Sequence, residues 1–389
     1  MQNLIEVFLV FLRLGLTSFG GPMAHISYFH EEFVNRRRWI NDQSYADLVV
    51  LCQFLPGPAS SQVGIAIGLS RAGYLGAIVA WIGFTLPSAL ILILFGLGIS
   101  WFHVGGSWLH GLKVVAVAVV AQAIWGMAIK LCPDKKRASI AVLSASVVAF
   151  LPVSAIQFFI ILLGGVFGVI FLRQKEEPVH FPLNISVSRT SGAIFLSLFF
   201  LLLMVVPVIA KSSDQQWLHL FDSFYRAGSL VFGGGHVILP LLQKEVVQTG
   251  WVSKELFMTG YGAAQAIPGP LFAFTAYLGA VSNTSPSGWV GAILCLAAAF
   301  LPAFLLVLGA IPFWEYFRKF KKARLAMQGI NAAVVGLLIA AFYDPVWTSA
   351  IFNSKDFALA VFCFLLLMFW KTPAWCVVLI SAAAGGLFL

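Results

Sequence analysis

Gln53-Phe-Leu-Pro-Gly-Pro58 interrupts an otherwise apolar run, and it returns in the second half of the chain as Gln265-Ala-Ile-Pro-Gly-Pro270. The residue before a proline avoids helical geometry, so a helix entering this motif is predicted to end near Leu55. Pro58 suits the first residue of a new helix, where its missing N–H costs nothing. The run 44–70 is thereby cut into two pieces of about a dozen residues each, too short to cross a bilayer alone. Broken or re-entrant helices are the expected outcome.

The duplication extends outward from these turns. Phe11-Leu-Arg-Leu-Gly15 with Phe19-Gly-Gly21 recurs as Phe224-Tyr-Arg-Ala-Gly228 with Phe232-Gly-Gly-Gly235. Glu32 recurs as Glu245, Trp39-Ile40 as Trp251-Val252, Leu86-Pro87 as Leu301-Pro302, and Gly164-Gly165 as Gly385-Gly386. The halves are read as domains 1–173 and 214–389. The segment 174–213 between them holds a polar linker and an unpaired apolar run, 192–210.

Composition sets the class. Of 389 residues, 60% are hydrophobic and 10% charged, with a mean hydropathy of +0.94, against about 25% charged residues in soluble domains. The expected fold is all-α, a polytopic membrane protein. Soluble enzymes, nucleic-acid binders and disulfide scaffolds are excluded. The net charge of +9 resides in clusters beside apolar runs (Arg36–Arg38, Lys135–Arg137, Arg318–Arg324), which reads as cytoplasmic loops under the positive-inside rule. The five cysteines are scattered without metal spacing, so neither a metal nor a cofactor is expected. Met1–Phe19 lacks a basic leader and carries Glu6 and Arg13, unlike a cleavable signal peptide.

Clear spans are read near 74–99, 109–130, 137–151 and 153–172, and again near 289–313, 326–344, 356–371 and 374–389. If 3–19 and 44–70 dip in without crossing, the basic loops of the first half fall on one side. Keeping the 318–324 cluster on that side requires the second half to be inverted, and 192–210 supplies the odd crossing. The reading is an inverted-topology repeat with about nine crossings, the architecture of many secondary transporters.

Function is sought where the breaks meet. The amides of Ala59, Ser60 and Ser61 at a half-helix N-terminus form an anion site, and Pro270 starts a twin with Leu271, Phe272 and Ala273 behind it. Two such ends could face one oxyanion. Gly20, Gly21, Gly233 and Gly234 permit close backbone approach to a ligand, or simply tight helix packing. Arg13 and Arg226 are costly within a membrane and suit an oxyanion. The alternative is an ion pair with Glu6 or with Asp222. The candidate substrate-binding set is completed by Gln53, Pro56, Gly57, Pro58, Ser60, Ser61, Gln265, Pro268, Gly269 and Pro270. His25 and His236 are candidates for proton coupling, and His30–Trp39 reads as an amphipathic surface helix.

The run Phe11–Pro58, with Phe-Gly-Gly-Pro, Glu-Glu…Arg-Arg-Trp and Gln-Phe-Leu-Pro-Gly-Pro-Ala-Ser, resembles the chromate ion transporter family. Phe-Gly-Gly-Gly-His-Val-Ile-Leu-Pro-Leu and Ala-Ile-Pro-Gly-Pro resemble its second domain. The resemblance implies a multi-pass carrier of the inner (plasma) membrane that exports chromate, with sulfate as the similar oxyanion. It marks Arg13, Gly15, Gly20, Gly21, Gln53, Pro56, Gly57 and Pro58 and their second-half partners as recurrent positions. The chain departs from symmetry where Gly235 replaces Pro22 and where Phe272 and Ala273 replace Ser60 and Ser61. A carrier of sulfate or another small anion is the alternative. An intramembrane enzyme would need clustered acid, base or metal ligands that the sequence lacks. The expected partners are the oxyanion and the lipid bilayer, with no nucleic acid; a homodimer is compatible with such a carrier.

Overall fold

The computed structural model describes residues 2–102, 106–151, 154–173, 185, 187–232, 235–317 and 320–388. Among them there is no strand, and the all-α membrane class expected from composition is what the chain adopts.

In the first half, α1 (Gln2–Thr17) is followed by α2 (Gly21–His30), which continues as a π-helical turn, Glu31–Arg36. Then come α3 (Asp42–Phe54), α4 (Ala59–Phe102), α5 (Ser107–Leu131), α6 (Lys135–Phe150) and α7 (Ser154–Phe171). α8 (Arg189–Lys211) precedes the second series, α9 (Gln216–Ser229) and α10 (Ile238–Leu242), the latter again running into a π-helical turn, Gln243–Val247. The order then repeats as α11 (Lys254–Ala264), α12 (Phe274–Ala280), α13 (Gly288–Ala310), a short α14 (Trp314–Phe317), α15 (Lys321–Ala341), α16 (Ser354–Met368) and α17 (Ala374–Phe388).

Helix starts follow the local chemistry. Asn41, Asp134, Ser188 and Ser253 each accept a hydrogen bond from an N–H in the first turn behind them, and Asn353 with Asp356 forms a capping box, satisfying donors a helix cannot satisfy itself. Among the described residues, five helical stretches are long and apolar enough to cross a membrane: 59–99, 107–131, 189–211, 288–313 and 321–347. α8 stands at the periphery, with only 17% of its apolar window buried.

Within α4 the backbone leaves helical geometry at Ala72–Gly73, so the short piece 59–71 turns there into the 74–102 run, and α3 and 59–71 are the two short pieces on either side of the first Pro-Gly-Pro turn. One expectation needs correction: His30–Trp39 is not a separate surface helix. It is the end of α2, stopped where Arg38 takes a left-handed conformation, and Glu32 and Phe33 are buried.

Packing repeats as well as sequence. α1 lies along α4, and α9 along α13. The later helices are exchanged between halves, with α5 packed against α16 and α17, and α15 against α6 and α7. Lipid chains are as apolar as leucine, so membrane helices associate through close contact at small residues. Gly68 meets Gly76 where α4 folds back on itself, and Gly279 meets Gly291 where α12 meets α13. A methyl group at any of the four would overlap the opposing carbonyl.

Candidate anion site at the central turns

The two Pro-Gly-Pro turns meet through the backbone. α3 stops at Phe54 and Leu55 is extended (φ −78°, ψ 145°), as the proline rule requires. Gly57 and Gly269 have φ of 122° and 97°, where a side chain would be strained. The Gly57 N–H donates to the Val231 carbonyl at 2.7 Å, and the Gly269 N–H donates to the Ser18 carbonyl at 2.9 Å. Ser18 follows α1 and Val231 follows the end of α9, so the same bond is made twice in reciprocal directions. Pro22 and Gly235, the residues at matching repeat positions, pack against each other.

Polar groups gather on one side of this junction. The first helical bond of α4 is Gln62 N–H to Pro58 O, 2.9 Å, so Pro58 caps the helix and the amides of Ala59, Ser60 and Ser61 have no helical acceptor. Ser60, Ser61 and Gln62 are buried. Among the described residues, Ser18 Oγ, Ser61 Oγ, Gln62 Oε1 and Thr85 Oγ1 are buried without a hydrogen-bond partner. His25, also buried, places Nε2 3.2 Å from the Ser18 carbonyl and Nδ1 3.4 Å from Ser60 Oγ. Ser88 Oγ borders Gly269 and donates to the Thr85 carbonyl. Each orphaned buried polar group costs about 1–3 kcal/mol. Ser60 and Ser61 stand in the first turn of α4, and His25 bridges from Ser60 to the Ser18 carbonyl. Sequence reasoning missed Ser18, Gln62, Thr85 and Ser88.

The second half does not reproduce this chemistry. Under the repeat, Ser18, His25 and Thr85 become Val231, Ile238 and Phe300, while Ser60, Ser61 and Ser88 become Phe272, Ala273 and Ala303. Leu271–Ala273 forms a tight 3₁₀ turn in which the Ala273 N–H is already bonded to Pro270 O at 2.9 Å. The two turns therefore form one polar end and one apolar end, in line with the departure from symmetry at Phe272 and Ala273. Pro268 and Pro270 are buried with it.

The remaining candidates separate. The Pro56 carbonyl accepts from Gln62 Nε2 at 2.8 Å. Gln53 is exposed, while Gln265 is half-buried beside Tyr261. His236 Nδ1 is 2.8 Å from the Tyr261 hydroxyl. Gly20 and Gly21 open α2 with positive φ; Gly233 and Gly234 lie outside the described residues.

The arginines differ most. Arg226 Nε donates to Asp222 Oδ2 at 2.9 Å, and its NH1 and NH2 donate to the two oxygens of Glu245 at 3.0 and 2.9 Å. The ion pair with Asp222 anticipated from the i,i+4 spacing is present, and a second carboxylate joins it. Arg13 does not pair with Glu6, which instead binds Arg37 at 2.9 Å and Arg71 at 3.0 Å. Arg13 is exposed on the stripe of α1 that carries Ile5, Leu9 and Leu16. Among the described residues its side chain has no hydrogen-bond or ion-pair partner.

Comparison with known proteins finds relatives along most of the chain. The chain is 27% identical to the chromate transport protein of Pseudomonas aeruginosa over 89% of this chain and 82% of that protein. It is 27% identical to a probable chromate transport protein of Synechococcus elongatus, over 97% and 94% respectively. The chromate transport protein of Cupriavidus metallidurans is 26% identical, over 87% and 82%. No solved structure matches the chain. The family model described as chromate transporter matches residues 5–169 and again 218–386, and by that match this chain, a multi-pass membrane protein, belongs to the chromate transporter family.

Proposed function

We propose that the chain is a secondary carrier that exports chromate across the inner membrane, binding one dianion per chain at the N-terminus of α4. The observation that carries this reading is the set of buried, unpartnered donors around Ser18, Ser61 and Thr85 beside the free amides of Ala59, Ser60 and Ser61. A tetrahedral oxyanion accepts hydrogen bonds from many directions, and a helix N-terminus adds a favourable dipole. Neutral donors hold such an ion without a permanent counter-charge, so it can be released again. Membership of the family and the names of the relatives support chromate as the ion.

The halves are proposed to be inverted repeats, 1–173 and 214–389, joined by 174–213. The reciprocal bonds at Gly57 and Gly269, the meeting of Pro22 with Gly235, and the exchanged packing of α5 and α15 support a pseudo-twofold relation. So does the distribution of charge. Lys136 Nζ reaches the Phe171 carbonyl, tying the start of α6 to the end of α7 at the arginine- and lysine-rich face. His110 and Asp356 join the starts of α5 and α16 at the opposite face. With α1–α2 and α3 with the first part of α4 as dipping hairpins, nine helices cross.

Uptake of labelled chromate into everted vesicles tests the function. Saturable uptake, inhibited by sulfate and abolished by a protonophore, is the expected result. Folded protein that moves no chromate in either vesicle orientation would refute the reading.

A further inference from the structure

Glu32 and Glu245 occupy the same place in the two halves, and so do Arg13 and Arg226, yet the pairs are wired differently. In the second half Arg226 grips Glu245 with both terminal nitrogens. The turn that follows Glu245 is Gln248-Thr249-Gly250, with no basic residue to compete. In the first half, the turn after Glu32 supplies two competitors. Arg37 Nε donates to Glu32 Oε1 at 2.6 Å, and Arg36 NH1 to Oε2 at 3.1 Å. Arg13 is left exposed, and where Asp222 supports Arg226 the first half has Leu9.

We propose that Glu32 is a positioning residue that alternates between the Arg36–Arg37 pair and Arg13 during turnover. The inference rests on the carrier reading. The second half displays the closed arrangement that the first half can adopt, because α1 and the Glu32 turn are built on the same repeat as α9 and the Glu245 turn. When Glu32 is held by Arg36 and Arg37, the Arg13 guanidinium is free for an incoming anion. When Glu32 takes Arg13, that guanidinium is neutralised and the anion loses its attraction. The exchange leaves no buried charge stranded, a condition that a movable ion pair in low dielectric must meet. Arg37 keeps Glu6 at 2.9 Å, Arg36 is solvent-exposed, and Glu32 is paired in both states.

Modification of arginines by phenylglyoxal in native membranes, read by peptide mass, tests this without relying on transport. In the wild type, Arg13 is expected to react at least tenfold faster than Arg226. In Arg36→Gln/Arg37→Gln, Glu32 has no rival donor, and the Arg13 rate is expected to fall toward that of Arg226. Adding Glu32→Gln to that variant is expected to restore both the Arg13 rate and chromate uptake. A purely structural Glu32 would make the triple variant no better than the double. The slow rate of Arg226 reports that each variant is folded; should the double variant fail that check, Arg37→Gln alone must show a smaller fall. An Arg13 rate unchanged in the folded Arg36→Gln/Arg37→Gln variant, or in Arg37→Gln when that variant is used, overturns the proposal. Absence of chromate uptake by the wild type with the reactivity pattern intact would instead overturn the carrier reading.

Discussion

Replacing Arg226 by alanine is expected to damage the fold rather than the transport step. Its guanidinium makes three charge-assisted hydrogen bonds to two carboxylates whose side chains are 10% and 17% exposed. Truncation leaves Asp222 and Glu245 as two partly buried anions sharing one neighbourhood with no cation between them. Breaking a buried pair by removing one partner costs about 3–5 kcal/mol, far above the ~0–1 kcal/mol of an exposed pair. In detergent this corresponds to a drop in apparent melting temperature on the order of 10 °C, followed by size-exclusion recovery after heating. Arg13→Ala, at the matching repeat position but exposed and unpartnered, is expected to melt within about 2 °C of wild type while chromate uptake falls. Arg226→Met combined with Asp222→Asn and Glu245→Gln removes all three charges and is expected to regain most of the lost stability. The reasoning is refuted if Arg226→Ala melts with the wild type, or if the triple variant is less stable than the single one.

Ser60→Ala/Ser61→Ala is expected to weaken chromate binding by at least about 10–100-fold, the worth of one hydrogen bond to a charged group. Phe272 and Ala273, at the apolar twin, should tolerate Phe272→Leu/Ala273→Val with little change in the uptake Michaelis constant. Gly68→Leu and Gly279→Leu each force a side chain into an opposing backbone carbonyl, and loss of monodisperse protein in detergent is expected for both; normal yield would refute the close fold-back. Reporter fusions after Arg137 and after Lys322 should both read cytoplasmic, and opposite locations would refute the inverted topology. Asp134 caps α6 between two spans, and the Arg137 N–H, with its guanidinium beside it, holds this carboxyl below its usual range. A lowered carboxylate pKa stabilises the fold above the unfolded value near 4 and loses that stabilisation as pH falls through the folded value. Asp134→Ala should therefore cost ~1 kcal/mol at neutral pH and progressively less below about pH 4, by thermal melts across pH.

Much of this was legible because it is local. A proline acts on its immediate neighbours, so the helix end at Leu55 followed from four residues of sequence, and Asp222 sits one turn from Arg226. What escaped was set by distance. Glu245 had been recognised as the twin of Glu32, but nothing in a linear reading says that it grips Arg226 while Glu32 turns to Arg37. Exchange of α5 and α15 between halves was also hidden, since an apolar helix of uniform character does not name its neighbour. The hydroxyls of Ser18, Thr85 and Ser88 were overlooked because serine and threonine in membrane helices commonly bond their own backbone. A usable signal was present all the same: each has an apolar residue at its repeat position.

The reciprocal bonds at the central turns have a bearing on how the chain is made. When Gly57 leaves the ribosome, the carbonyl that satisfies its N–H, that of Val231, does not yet exist, and at ordinary synthesis rates it follows about 10–35 s later. An unsatisfied amide is poorly tolerated in hydrocarbon, so during that interval the first turn must stay near the insertion machinery, in water, or against a temporary acceptor. Neither half can finish its own centre; each lends a carbonyl to the other. The two halves supplied as separate chains should then reconstitute only when produced together, and a half made alone should be handed to the proteases that clear unassembled membrane segments.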